Sequence, residues 1–229
     1  MSTHRVNSGE QLVIIGLSNI VSDLLDAALA LEIPVKAVVV DQPEALGPRD
    51  IGIQARLDAY AQIAQRPSLQ AMADFSPSPC ERYLLGPTTP MRQHLVERLV
   101  SRFGLQFCTL VHPSAYVSRL ATLGQGVFVG ANSVVAAGAC LADHVFVNRG
   151  VTIGHDTRVG SYSRVQTGAN LGGLTVLGNG VTVGSGATVL ERLQLGEGCF
   201  VAAGAVVLAD VPERVLVAGV PATIKKSLN

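Results

Sequence analysis

The chain of 229 residues contains no tryptophan, and aromatic residues make up only 4% of it. A core without large rings has to be built from aliphatic side chains on closely packed backbone, and a hydrophobic content of 48% with 24 glycines supplies both. Charge is equally sparse. Charged residues are 15% of the chain, 17 Lys and Arg balance 17 Asp and Glu, and the pI is near 7.0. Such a balance exerts no bulk pull toward nucleic acid or anionic lipid. No apolar run approaches the roughly 18 residues that a membrane span needs. The opening "MSTHRVNSGEQ" is polar and lacks the apolar centre of a signal peptide, so residues 1–11 read as a flexible N-terminus. Cysteine is limited to Cys80, Cys108, Cys140 and Cys199, without a CxxC pair. Neither a disulfide framework nor a zinc knuckle is implied, and the expected setting is a reduced cytoplasm.

Two halves follow different periods. In the first, "LVIIG" (12–16), "VKAVVVD" (35–41) and "ERYLLG" (81–86) are short apolar strands, and "LQFCTLVH" (105–112) reads as a fourth. Between them, residues from Ile20 to Leu31 show helical apolar spacing, a short helix is expected near 56–64, and "MRQHLVERLVSRFG" (91–104) is an amphipathic helix closed by Gly104. Strands alternating with helices predict a small parallel α/β sheet over residues 12–108.

From Val111 the chain divides without a gap into 17 hexads, each opening with Val, Leu or Ile. The second position is Gly, Ala or Ser in 12 of the 17, and the fifth is Ala, Val, Ser, Thr or Cys everywhere except Leu193. A fixed period of this kind overrides other readings. Two or three strand residues and a tight turn fill each hexad, three hexads close a triangular coil of 18 residues, and coils stack at the parallel-strand spacing of about 4.8 Å. The expected architecture for residues 109–229 is a left-handed parallel β-helix. In it the first position points inward and the small fifth position lets the chain pass the corner.

Residues 18 apart lie above one another in such a rod. Ala137, His155, Gly173 and Glu191 therefore form one outward-facing column at the third hexad position. His155 should project beside the bare backbone of Gly173, with Asp156 next to it to orient the ring. The plain alternative is a solvated surface His, whose titration near neutral pH carries no information about function. Metal binding is disfavoured. His112, His144 and His155 are separated by 32 and 11 residues, multiples of neither 6 nor 18, so they do not share a column as three-His zinc ligation would require.

Both halves together resemble the bacterial sialic acid O-acetyltransferase and nucleotide-amino-sugar N-acetyltransferase family, acetyl-CoA enzymes in which a small Rossmann-like domain precedes the β-helix. The resemblance rests on "LVHPSAYVS" (110–118), Asn148 seven residues before "HD" (155–156), "GANLGG" (168–173) and "VAGVPA" (217–222). It implies His155 as general base, Asp156 as its orienting acid, and Gly173 as a backbone donor to the acetyl carbonyl. It further implies Asn148 as a supporting residue, and Ser185 and Ala203 as backbone contacts to CoA. Acetyl-CoA is then the acyl donor, no metal is needed, and the acceptor is an amine or hydroxyl on a sugar or nucleotide-sugar.

The chain departs from the family at two places. Where the family often carries a second His, nine residues after the base, this sequence has Arg164, which cannot act as a base near neutral pH but can hold a phosphate or carboxylate. The nucleotide-sugar loop reads "GLSNIV" (16–21), which keeps Gly16 and Ser18, loses the family's Gly-His pair, and offers Asn19 as a donor near a helix N-terminus. Asp41 and Arg92 stand at positions matching the family's sugar-nucleotide site. A structural βα turn with capping residues explains these N-terminal residues equally well. Three function classes follow: a sugar acetyltransferase, a diverged binding or scaffold protein, and, disfavoured for want of a Gly-rich nucleotide loop, a nucleotidyltransferase. The transferase reading carries a further expectation, a homotrimer, since the groove beside His155 needs a second wall that a neighbouring rod supplies.

Overall fold

The computed structural model describes residues 9–228. Residues 1–8 of the segment expected to be flexible lie outside them, and Gln11 already opens the first strand. Four parallel strands, β1 (Gln11–Ile15), β2 (Val35–Val40), β3 (Ser68–Ala71) and β4 (Glu81–Leu85), lie in the order β3-β2-β1-β4. Helices α1 (Val21–Ala30), α2 (Ile53–Tyr60) and α3 (Arg92–Phe103) connect and cover them. After Gln11, β1 is apolar because both of its faces are covered. Leu12 and Ile14 pack with Leu24 and Leu25 of α1 and Leu57 of α2, while Val13 and Ile15 pack with Leu95, Val96 and Leu99 of α3. α3 ends as expected at Gly104, whose φ of 64° makes the left-handed cap.

The sheet corrects one expected element. Residues 105–112 do not form its fourth strand; their backbone meets it at a single bridge from Phe107 to Tyr83, with Leu105 and Phe107 packed into its core. Leu110–Val111 then pairs with Phe128–Val129 and starts the rod. The fourth strand is β3, "SLQA", a short and largely exposed edge whose composition carries no period-two signal.

In the rod from Leu110 to Val207 each strand is two residues long, positions six and one of a hexad, and strands pair in parallel with the residues 18 further on, as in Cys140↔Arg158 and Phe146↔Arg164. Three sheets, parallel except where the strand Thr223–Ser227 closes one of them antiparallel, form the faces of a left-handed parallel β-helix. First-position residues such as Val129, Val147, Val165 and Val183 are fully buried, as expected. The fifth position departs from expectation: Val127, Val145, Ser163 and Val181 are fully buried as well, so it fills the prism rather than easing the corner. The corner is made at the third and fourth positions. From Gly126 to Gly204 every fourth-position residue has a positive φ, including His144, Asp156, Tyr162, Leu174 and Arg192. Small second positions answer to the next coil, since a Cβ on Gly154 would stand 2.5 Å from the Gly173 nitrogen.

Corners stack into three vertical edges, each laced by a fourth-position N–H to the third-position carbonyl one coil below: Gly168 to Arg149 and Gly204 to Ser185 on the first edge, Asp156 to Ala137 and Leu174 to His155 on the second, Tyr162 to Asp143 and Gly180 to Ser161 on the third. The α/β domain covers the face between the third and first edges. Phe128 and Phe146 of that face stack with centroids 5.4 Å apart and join the apolar cluster of α1. Arg149, on the first edge, pairs with Asp23 of α1.

At the third edge His144 is 2% exposed, stacked on Tyr162 with centroids 5.1 Å apart and met edge-on by Phe107 at 4.9 Å. Its Nδ1 is buried without a hydrogen-bond partner. Burial foremost, then the neighbouring Arg92 charge, hold its pKa down at about 4, against an opposing pull from Asp143. As pH falls below about 6.5, the unfolded chain takes up a proton that the folded chain refuses until about pH 4, so stability is lost through that window and is fully present above it. The variant His144→Asn, which keeps a residue tolerant of positive φ, should show a shallower loss of unfolding free energy between pH 6.5 and 4 than the parent chain. Identical slopes in denaturant titrations across that range would contradict this origin.

Candidate active site

The second edge, opposite the covered face, carries His155 and Asp156. The His155 side chain is 60% exposed, and its Nδ1 lies 2.9 Å from Asp156 Oδ2. A carboxylate at that distance accepts the Nδ1 proton, which assigns the tautomer and leaves a lone pair on Nε2. Position four suits Asp156, since Asp is among the few residues that adopt left-handed backbone readily.

Above the ring lies Gly173. A Cβ there would stand 2.6 Å from His155 Nε2 and 2.8 Å from its Cδ2, so the imidazole occupies the space that any side chain at 173 would fill. The basic nitrogen therefore faces the bare backbone of the next coil. Because the edge ladder takes the His155 carbonyl through Leu174 N–H, at 2.8 Å, the N–H of Gly173 itself is left out. Three third positions satisfy this spare donor with a side chain, Asp143 accepting it from Gln125, Asn148 from Arg149, and Asn179 from Ser161, at 2.8–2.9 Å; most of those described leave it open. Among the described residues no such acceptor serves Gly173, Ser185 or Ala203. Unpaired main-chain donors at a corner are suited to bind an acyl or amide oxygen.

The remaining expected site residues fall into separate places. Ser185 and Ala203 stack on the first edge, where Gly204 N–H donates to the Ser185 carbonyl at 2.9 Å, so a single chain does not bring them to His155. Asn148 is buried beside the same edge, donating to Gln166 Oε1 at 3.0 Å and accepting from Arg149 N–H. Gly16, Ser18, Asn19 and Asp41 do converge, lining a cleft of about 400 Å³ with Pro87 in the α/β domain. Ser18 donates to the Gly86 carbonyl at 2.6 Å, Asn19 lies between Asp50 and Arg56, and Asp41 pairs with Arg98 at 2.8 Å. Arg92 corrects the expectation that it binds substrate. It is 4% exposed and spends its guanidinium on the carbonyls of Thr88, His144 and Ser163, pinning α3 to the rod. Its burial, followed by the charge of Arg164, lowers its pKa to about 9. Arg164 itself is half-buried on the covered face and donates to Thr182 Oγ1 at 3.1 Å.

Arg98 and Arg56, which brace the cleft, carried no sequence signal, since single exposed arginines follow no period. Among the described residues no cluster of three or more His, Cys, Asp or Glu is placed to hold a metal. Burial pushes the thiols of Cys108 and Cys199 up to about 12, out of the range of a nucleophile near neutral pH.

The repeat matches the sequence family described as bacterial transferase hexapeptide (six repeats) over residues 174–209, and the hexapeptide repeat of succinyl-transferase over residues 150–191. In three dimensions the chain is similar to the acetyltransferase domain of PglB from Neisseria gonorrhoeae FA1090 in complex with acetyl coenzyme A. That likeness is 26% in sequence, covers 95% of this chain and 100% of that one, and has a TM-score of 0.79. By fold and by repeat, the chain is similar to the hexapeptide-repeat transferases. The family resemblance drawn from the motifs is matched in kind by these hexapeptide transferases. A perosamine N-acetyltransferase from Caulobacter crescentus, in complex with CoA and GDP-perosamine, is 26% identical over 95% of this chain and 97% of that one, with a TM-score of 0.62. Among curated proteins, a 2,3,4,5-tetrahydropyridine-2,6-dicarboxylate N-acetyltransferase of Enterococcus faecalis is 54% identical over 43 residues, a match spanning 19% of this chain and 18% of that protein.

The His155–Asp156 contact sets a tautomer that spectroscopy can read. In the parent protein at about pH 8 the ring nitrogens should report the proton on Nδ1; in Asp156→Asn, where the neighbour is no longer an anion, the population should move toward Nε2–H. Unchanged nitrogen shifts in the variant would contradict an orienting role for Asp156.

Proposed function

We propose that the protein is an acetyl-CoA-dependent acetyltransferase whose acceptor is a sugar or nucleotide-sugar amine or hydroxyl, the amine being favoured by the N-acetyltransferases it is similar to. The observation that carries this reading is the juxtaposition of His155 Nε2 with Gly173. An acceptor nitrogen attacking the thioester carbonyl must lose a proton, and Nε2 is the available base. The carbonyl oxygen gains negative charge as the C–N bond forms, and the unpaired Gly173 N–H is the donor beside it. Asp156 steadies the imidazolium that results, and the CoA thiolate departs. Direct attack needs no cysteine intermediate, in keeping with the raised thiols of Cys108 and Cys199.

We infer a homotrimer for the same reason that the site residues are scattered. The cleft of Gly16, Ser18, Asn19 and Asp41 belongs to the domain on the covered face, and Ser185 and Ala203 to the first edge, while His155 rises from the second. A neighbouring copy with its first edge against the second edge of its partner supplies the missing CoA contacts and the acceptor cleft together. A cytoplasmic location belongs to this reading, in line with the four free cysteines.

General-base assistance is typically worth ~10²–10⁴ in rate, so His155→Ala should lower turnover in a CoA-release assay by about that factor with the unfolding midpoint preserved, since the ring is exposed. The assay pairs acetyl-CoA with a panel of UDP-, GDP-, dTDP- and CMP-linked amino sugars. Full activity in the variant removes His155 from the role. A parent protein that binds no acetyl-CoA by calorimetry is a scaffold instead.

A further inference from the structure

Arg164 is the anomaly of the seam between the two domains. It occupies the outward column of the covered face directly after Phe128 and Phe146, where the preceding residues present stacked rings to α1. Half-buried there, its guanidinium meets one side-chain partner, the Thr182 hydroxyl, through Nε. Close by is the buried Arg92 guanidinium, whose donors are spent on the Thr88, His144 and Ser163 carbonyls. Among the described residues neither arginine makes an ion pair. Two partly desolvated like charges without a carboxylate form an arrangement that folding alone disfavours, because buried charges are ordinarily paired. The cost is relieved if an anion completes the group. Only Arg164 has its forked end unspent, and that fork matches a carboxylate or phosphate in two parallel hydrogen bonds. Pro90, which lies against Gly180 at the third edge beside this face, belongs to the same loop whose Pro87 walls the acceptor cleft.

We propose that Arg164 is a specificity-determining residue that binds an oxyanion of the acceptor, so that the enzyme selects acceptors carrying a phosphate or carboxylate group. This rests on the transferase reading for the word acceptor, while the anion site itself stands on the geometry of the seam. The oxyanion has two sources, the diphosphate of a nucleotide carrier and the carboxylate of an acidic sugar, with the same recognition chemistry.

Calorimetry on the full chain at low ionic strength, with inorganic pyrophosphate and with glucuronate as separate probes, tests it. The parent protein is expected to bind at least one of them. Arg164→Gln should weaken that binding at least tenfold, Arg164→Lys should restore part of it, and Arg158→Gln, an exposed arginine on a neighbouring face, should leave it unchanged. Pyrophosphate alone identifies a phosphate-bearing acceptor, glucuronate alone an acidic sugar. Absence of binding by the parent, or equal binding by a folded Arg164→Gln, overturns the proposal. So does a tenfold loss of acetyl-CoA affinity in that variant, which would assign the guanidinium to the donor. Loss of acetyl-CoA binding by the parent with the anion site intact sinks the transferase reading and leaves the anion site standing.

Discussion

Everything functional on the rod follows from how a six-residue coil turns its corners. The fourth position goes left-handed and gives its N–H to the coil below, which closes the edge as a continuous ladder. The third position is then left with an N–H that takes no part in the ladder. At Gln125, Arg149 and Ser161 a carboxylate or amide side chain accepts it, and the edge is inert there. At Gly173, as at most of the described third positions, no side chain does; what sets it apart is the imidazole of His155 one coil below. The imidazole and the bare N–H, the base and oxyanion donor of the proposed reaction, are thereby held on rigid backbone at a separation set by the stacking of parallel strands, without any loop having to be ordered.

The second constraint is where the α/β domain docks. It seals one face of the prism with Phe128 and Phe146, bolts the first edge through Arg149 and Asp23, and clamps the third edge through Arg92. The edge it leaves open is the one that bears His155. Docking of this kind puts His155 and the α/β cleft on opposite sides of each chain, the arrangement from which the proposed trimer is inferred. It also explains why Arg92, although placed in a loop that reads as ligand-binding, serves the join between domains.

Much of this was legible in the sequence. The unbroken run of hexads set the rod, its coil length and the column that aligns His155 with Gly173, because a fixed period converts sequence separation directly into height. The same arithmetic placed Ser185 under Ala203. Less was legible where no period operates. The fourth-position corner was hidden because His144, Asp156, Tyr162, Leu174 and Arg192 break the run of glycines that would have announced positive φ. β3 carries no signal because a short exposed edge strand has no alternation to read, and residues 105–112 read as a sheet strand because apolar chain leaving one domain for another is buried either way. Arg92 and the Arg98–Asp41 pair depend on contacts across 50 residues or more of chain, which spacing does not encode.

The most direct measurement is a crystal structure of the full chain with acetyl-CoA. The thioester carbonyl oxygen should lie within hydrogen-bonding distance, about 3 Å, of the Gly173 nitrogen, with His155 Nε2 facing the open side of the carbonyl carbon. Acetyl-CoA seated on another edge of the rod, or a thioester turned away from Gly173 while the pantetheine arm is ordered, would contradict the spare corner donor as the origin of the site.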